Sequence, residues 1–270
     1  MKKLLFPAFT ILAAASAHAQ LSYDTIGSVY TQDFNTLIQS GSGTAAGHGP
    51  IDITTGNLLA SGTLAGWSFS NYGGDGTGTE WRATNGGSSG SAGRGVNSFG
   101  LTGDSDRALG SLSTSAQINR FGLTIQNNTG STLDAFSLSY FGELWRSGDS
   151  GVTNTLTFSY AIFSSNPSIE GSGFSDISSL NYAATSFDPF NTAVNGNDHS
   201  TAISGGVSGL AWNPGDYLVI RWTAGQEVGQ DNGLAVDNVT FSASAVPEPT
   251  TWALLGIGAA GAFALRRRAS

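Results

Sequence analysis

Between residues 21 and 245, apolar side chains recur at every second position, with no long run at the three-to-four spacing of an amphipathic helix. Phe121, Leu123 and Ile125 alternate in RFGLTIQ, and Phe136, Leu138 and Tyr140 in the next run. Leu156, Phe158, Tyr160 and Ile162 follow in NTLTFSYAIF, then Leu218, Ile220 and Trp222 in YLVIRW, and VTFSASA closes the series. Turn chemistry separates the runs. Asn127-Asn128-Thr129-Gly130 is one break; Trp212-Asn213-Pro214-Gly215-Asp216 is another, where Pro fixes φ and Gly permits a positive φ. A period of two sends successive side chains to opposite faces of a sheet. Ser and Thr between the apolar positions fit a sheet with one wet face. The expectation is an all-β chain, an antiparallel β-sandwich of jelly-roll-like type.

The stretch GGDGTGTEWRATNGGSSGSAGRGVNSFGLTG (73–103) is rich in Gly and Ser. It also holds Trp81, Arg82 and Phe99, so it reads as long loops within one domain rather than a linker. The whole chain of 270 residues has 38 glycines and 7 prolines, below the roughly 25–30% that marks low-complexity sequence. A body of about 225 residues can bury a core without disulfides, and the chain has no cysteine, which removes thiolate metal sites and thiol catalysis. Between Leu21 and Ala245 the only cations besides histidine are Arg82, Arg94, Arg107, Arg120, Arg146 and Arg221, against every acidic residue of the chain except Glu248. So acidic a body lacks the cations that release counterions from a phosphate backbone, and no nucleic-acid partner is expected.

Both ends differ from this body. MKKLLFPAFTILAAASAHAQ has a basic start at Lys2 and Lys3, an apolar segment from Leu4 to Ala15, and the small-x-small sequence Ala17-His18-Ala19. This is the order of a secretory signal helix cleaved between Ala19 and Gln20, implying the Sec machinery and signal peptidase as partners. At the other end, Trp252 to Leu265 is 14 residues without charge. As a helix it spans ~21 Å against a hydrocarbon core of ~30 Å, short for a permanent anchor. Pro247 and Pro249 break regular structure before it. Arg266, Arg267 and Arg268 follow it as a membrane stop that favours the cytoplasmic side. The chain therefore divides into residues 1–19, a body from 20 to 245, and a tail from 246 to 270.

The tail resembles the PEP-CTERM sorting domain of Gram-negative bacteria through Pro247-Glu248-Pro249, the single apolar helix and the arginine cluster, in that order. The resemblance implies recognition by an exosortase, a membrane enzyme. It implies transit through the inner membrane toward the cell surface or the extracellular space, in a producer of polysaccharide or biofilm matrix. Pro247, Glu248 and Pro249 are then a substrate sequence for another enzyme. Five short motifs in the body, DSDRALGS (104–111), FGELWR (141–146), VNGN (194–197), IRW (220–222) and DNGLAVDNVTF (231–241), resemble uncharacterised exported jelly-roll-like modules that carry this kind of tail. That implies a fold and a compartment, and no reaction.

Candidate chemistry in the body is sparse. Asp104, Asp106, Asp231 and Asp237 offer oxygens of the kind Ca²⁺ accepts, and jelly-roll carbohydrate-binding modules often hold Ca²⁺ near their terminal strands; the competing reading is that these residues cap turns. Glu143 in FGELWR is a candidate acid or base if a second carboxylate faces it, or else a partner for an arginine. Alternation places Glu143 and Trp145 on one face of a strand, with Leu144 and Arg146 on the other. Trp81 and Trp145 are the candidates for stacking on a sugar, while Trp222 belongs to a core. His48 and His199 read as surface residues without a role, and no serine sits in a nucleophile elbow. The reading is an exported, non-catalytic protein with a structural or adhesive role in a polysaccharide matrix. A carbohydrate-binding module, with or without Ca²⁺, is the alternative, and a glycoside hydrolase stands behind both.

Overall fold

A computed structural model describes residues 20–72, 78–88, 94–113, 117–165 and 167–245. The signal helix with Ala19, the apolar helix of the tail, Pro247 to Pro249 and Arg266 to Arg268 lie outside the described residues. Among the described residues, seventeen strands fall into two sheets. In chain order they are β1 (Leu21–Tyr23), β2 (Val29–Gln32), β3 (Ser42–Ala46), β4 (Ile51–Asp52), β5 (Trp67–Tyr72), β6 (Gly78–Thr84), β7 (Gly95–Phe99), β8 (Ala108–Leu112), β9 (Ile118–Asn127) and β10 (Ala135–Ser147). The chain continues with β11 (Thr153–Phe163), β12 (Ser175–Asp176), β13 (Tyr182–Thr185), β14 (Thr192–Ala193), β15 (Ser200–Val207), β16 (Tyr217–Ala224) and β17 (Gly233–Ser244).

The eight-stranded sheet runs β12-β11-β16-β9-β5-β4, with β1 added to β9 and β13 to β11. The nine-stranded sheet runs β14-β10-β17-β8-β7-β6-β3, with β15 on β10 and β2 on β17. The all-β expectation holds, and the two sheets pack face to face in a sandwich-like arrangement. Pairing is mixed rather than purely antiparallel, because β1 lies parallel to β9 and β6 parallel to β7. Part of the Gly/Ser-rich stretch, expected as long loops, forms strands. It contributes β6 and β7, which pair with each other inside the nine-stranded sheet.

The alternation read in the sequence builds the interface between the sheets. Phe121, Leu123 and Ile125 of β9 stand opposite Trp222, Ile220 and Leu218 of β16, and all six are fully buried. Trp222 sits at the centre, with Trp67 and Phe121 stacked near it and Tyr140 and Phe158 meeting it edge-on at 5.3 and 5.4 Å. Such aromatic pairs add about 0.5–1.5 kcal/mol each beyond area burial. From the nine-stranded sheet, Phe136, Leu138, Tyr140 and Leu144 of β10 and Val236, Val239 and Phe241 of β17 close the core. The Trp212 turn forms as its residues require: Asp216 N–H donates to the Asn213 carbonyl at 3.0 Å, and Gly215 has φ +85°.

One break in the alternation positions chemistry. In β17 the inward residues are even-numbered up to Val236 and odd-numbered from Val239 onward. The change of parity coincides with a register shift against β10, where Asn238 and Val239 oppose Tyr140 alone. Asn238 carries φ +51° there. This β-bulge re-aims the neighbouring side chain. Asp237 therefore stands opposite the exposed Phe141, on the outer side of the sheet, one diagonal step from Glu143.

Candidate functional site

The eight-stranded sheet has a covered outer face. Its floor comes from the residues that alternate with the core: Ser68 and Ser70 on β5, Arg120 and Gly122 on β9, Arg221 on β16 and Ser159 on β11. Register sets Arg221 directly between Ser159 and Gly122, and Arg120 between Thr223 and Ser70. Gly122 is required at this point, since a Cβ there would lie 2.2 Å from the Ile220 carbonyl oxygen. The two guanidinium stems thus rise on either side of a bare stretch of backbone. The segment after β11 folds across this floor and is held by the fully buried Ile169.

The covering segment leaves a cleft of about 410 Å³ lined by His48, Gly49, Arg120, Glu170, Gly171 and Arg221. Glu170 bridges the loop to the sheet: one carboxylate oxygen accepts from Ser70 Oγ and the other from Arg120 Nη1. Arg221 donates from Nε to Ser159 Oγ at 3.1 Å and from Nη1 to the Ile169 carbonyl at 2.6 Å. Its guanidinium carbon lies 3.6 Å from the centre of the Phe174 ring. Burial, and next the neighbouring Arg120 charge, push the Arg221 pKa down to about 10, against the opposing pull of Glu170 and Asp176. His48 Nδ1 lies 3.0 Å from the Asn71 carbonyl. A carbonyl only accepts, so Nδ1 carries the proton and Nε2 is the acceptor of the neutral ring. His48 is half-buried in this wall rather than fully at the surface, whereas His199 is exposed beside Phe187.

The residues singled out from sequence lie elsewhere, mostly on the outer face of the nine-stranded sheet. Glu143 and Trp145 do share a face, and Trp145 Nε1 donates to Glu143 Oε2 at 2.8 Å. Trp145 is not open to a sugar, however. It is 1% exposed, stacked on Phe99 with ring centres 6.2 Å apart, and covered by Gly196, where a Cβ would come within 2.3 Å of the indole. Trp81 is half-buried, belongs with the main core and lies against Gly43 of β3. Trp81 and Trp145 therefore join different clusters and form no common stacking platform.

The four candidate Ca²⁺ ligands divide as well. Asp104 is exposed and caps the Asp106 N–H at 3.1 Å, the turn-capping role. Asp231 is buried and accepts from Asn154 Nδ2 at 2.7 Å and from the Glu227 N–H at 2.9 Å. Asp106 accepts from Asn197 Nδ2 at 2.8 Å. Asp237 accepts from Asn238 Nδ2 at 2.7 Å, and its other oxygen has no hydrogen-bond partner. Among the described residues, no group of three Asp, Glu or His side chains is arranged to hold a metal ion, so these four aspartates do not compose one Ca²⁺ site. The second carboxylate near Glu143 is Asp237. Burial raises Glu143 to about 7, against the Trp145 hydrogen bond and with a further push from Asp106. Burial and then the Glu143, Asp106 and Asp33 charges raise Asp237 to about 8, against the Asn238 bond.

Comparison with known proteins bears on the two parts separately. Residues 245–268 match the PEP-CTERM protein-sorting motif. That motif is the exosortase recognition signal, and it marks an exported chain anchored in the membrane during transit. No curated protein matches the chain. Among solved structures, the CBM22-1 xylan-binding domain of Paenibacillus barcinonensis Xyn10C aligns at 10% identity and TM-score 0.40, over 83% of this chain and all of that one. The K2 cleaved adhesin domain of Lys-gingipain aligns at 12% identity and TM-score 0.39, over 80% of this chain and 99% of that one. TmCBM61 in complex with β-1,4-galactotriose aligns at 7% identity and TM-score 0.27, over 52% of this chain and 72% of that one. Scores of this size denote a general likeness of β architecture and nothing about ligands.

Proposed function

We propose that this chain is an exported, non-catalytic protein of the cell surface or extracellular matrix, with a jelly-roll-like body that adheres to polysaccharide. The tail directs export and exosortase processing, after Sec-dependent entry and removal of residues 1–19 by signal peptidase. The body then engages matrix polysaccharide through the cleft on the eight-stranded sheet. The observation that carries this reading is the convergence of Arg120, Arg221, Glu170 and His48 around one open cleft of about 410 Å³. Fixed guanidinium, carboxylate and imidazole groups offer donors and acceptors side by side, as a polyhydroxylated ligand requires. A binding role is favoured over hydrolysis because Glu143 and Asp237, the carboxyl pair that the Glu143 candidate called for, are buried, at 4% and 3% exposure.

Two experiments test this. The exported chain should co-sediment with the polysaccharide of the producing cells, and Arg221→Gln should weaken that association at least tenfold, the order expected when a charged hydrogen bond is lost. Unchanged co-sedimentation contradicts the assignment of the cleft. Replacing Pro247-Glu248-Pro249 should hold the protein at the inner membrane; normal release contradicts the sorting role.

A second, structural reading draws on β15. Its sequence STAISGGV has no charge, it pairs with β10 on one side, and among the described residues no strand pairs with its other edge. Exposed edges without charged residues are templates for pairing. The occupant that fits is the same strand of a second copy, since an uncharged edge meets itself without like-charge repulsion. Concentration-dependent dimerisation in light scattering, suppressed by Ala202→Lys, is the expected outcome; a monomer at all concentrations opposes it.

A further inference from the structure

The proposed cleft contains a cation with an unused donor. Arg221 is fixed from three sides by Ser159, the Ile169 carbonyl and the Phe174 ring, and these account for Nε and Nη1. Among the described residues its Nη2 has no hydrogen-bond partner, although the side chain lines the cleft. Across the bare Gly122 floor stands Arg120, the second guanidinium. The pairing of Arg120 with Glu170 shows which group this face accommodates: a carboxylate, bound by a guanidinium on one oxygen and a hydroxyl on the other.

The placement of the other body arginines sharpens this. Arg107 and Arg146 are each 2% exposed, and their guanidiniums are committed to the Ser98 and Leu101 carbonyls and to the Gly86 carbonyl and Gln230. Arg94 is paired with Glu80, and Arg82 donates to the Arg94 carbonyl. The Arg120 charge beside Arg221 disfavours its protonated form, Glu170 offsets part of that, and an anion seated at Arg221 would offset more. An anionic oxygen at Nη2 would accept a charge-assisted hydrogen bond from the one guanidinium nitrogen that Ser159 and Ile169 leave unused.

We propose that the cleft is specific for acidic saccharide, with the carboxylate of a uronic acid unit seated against Arg221 Nη2 and its hydroxyl groups facing Glu170 and His48. The proposal rests on the assignment of this cleft as the polysaccharide site, and deepens it. The ring hydroxyls supply donors for the Glu170 carboxylate and for His48 Nε2, both acceptors at the cleft wall. Sulfate esters share the charge; the carboxylate is preferred because the one anion already seated on this face, Glu170, is a carboxylate held by Arg120 and Ser70.

The test is equilibrium binding of the exported chain to polygalacturonate, to the same polymer after reduction of its carboxyl groups, to dextran sulfate and to neutral xylan. Polygalacturonate should bind at least tenfold more tightly than each of the others, and the preference should weaken as salt rises. Arg221→Gln should remove the preference, while Arg221→Lys, which keeps the charge without the planar fork, should retain only part of it. Equal binding of the reduced polymer overturns the uronate specificity and leaves the polysaccharide site standing. Stronger binding of dextran sulfate overturns the carboxylate in favour of a sulfate. Binding to none of the four overturns the cleft assignment itself. The polymer comparison uses the unaltered protein, so it decides the matter even if a variant misfolds.

Discussion

The two outer faces of the sandwich carry opposite charges and treat them in opposite ways. On the eight-stranded sheet, Arg120 and Arg221 stand beside an open cleft, Arg120 paired with Glu170 and Arg221 held by Ser159 and the Ile169 carbonyl. On the nine-stranded sheet, Glu143 and Asp237 are both buried, and Glu143 is hydrogen-bonded to Trp145, which Phe99 and Gly196 cover. Burial raises the pKa of these carboxyls because the charged form loses its water. The face richest in suggestive sequence motifs is thus a packed structural layer. The face whose residues looked ordinary holds the accessible chemistry. A polar side chain in a sheet acquires a binding role when a loop leaves it half covered, and a stability role when a loop covers it entirely.

That contrast sets the order of expected effects. The largest belongs to the sealed face. Trp145→Ala should cost about 3–5 kcal/mol, the usual range for emptying a buried tryptophan site, measured by urea unfolding. A loss below about 1 kcal/mol would mean that the indole is not a structural anchor, and would reopen Trp145 as a ligand residue.

Next comes pH. Glu143, Asp231 and Asp237 have folded pKa values raised to about 7, 6 and 8, above their unfolded values near 4. Between those limits the folded chain binds protons that the unfolded chain has released, so stability is fullest below about pH 4 on this account and falls as pH rises through 6 to 8. The loss should run at about 1.4 kcal/mol per pH unit for each carboxyl still protonated in the folded chain, steepest near pH 5 and complete by pH 9. The charged groups facing Asp237 are all acidic, namely Glu143, Asp106 and Asp33, and the hydrogen bond from Asn238 opposes this direction without reversing it. Asp237→Asn should flatten the slope and raise the melting temperature at pH 8. A stability that rises with pH over this interval would contradict the sealed-carboxyl description.

The open face should respond in the reverse manner. Arg221→Gln should cost only about 1–2 kcal/mol of stability, since it removes two partly solvated hydrogen bonds, yet it should lose most polysaccharide binding. Comparable losses of stability and affinity would make the two faces alike. The smallest effect is expected at the edge: Ala202→Lys on β15 should change stability by no more than about 0.5 kcal/mol while suppressing self-association.

Much of this architecture was legible in the sequence because alternation is a local signal. Phe121, Leu123, Ile125, Leu218, Ile220 and Trp222 are buried as their spacing demands, and the Pro214-Gly215 turn falls where it should. Parallel pairing of β6 with β7 was not legible, since Gly- and Ser-rich sequence lacks strong alternation and its strands are fixed by neighbours. The bulge at Asn238 hid Asp237 for a similar reason: one extra residue reverses which side a side chain faces, and DNGLAVDNVTF shows that only as two apolar registers meeting at DN. The cleft residues did leave a trace. Arg120 and Arg221 occupy polar positions of two alternating strands, beside Gly122, but only strand register brings them together, and only the fold of the later segment delivers Glu170. Trp145 misled because its exposure depends on Gly196, half a hundred residues later in the chain.

The central claim, that the arginine face binds and the carboxylate face only holds the fold, is most directly tested by hydrogen exchange of the exported chain with and without saturating polygalacturonate. The account predicts slowed exchange at His48, Gly49, Glu170 and Gly171, with no change around Glu143, Asp237 and Gly196. Protection that appears instead around Glu143, Asp237 and Gly196, with the Arg120 and Arg221 face unaltered, would contradict it.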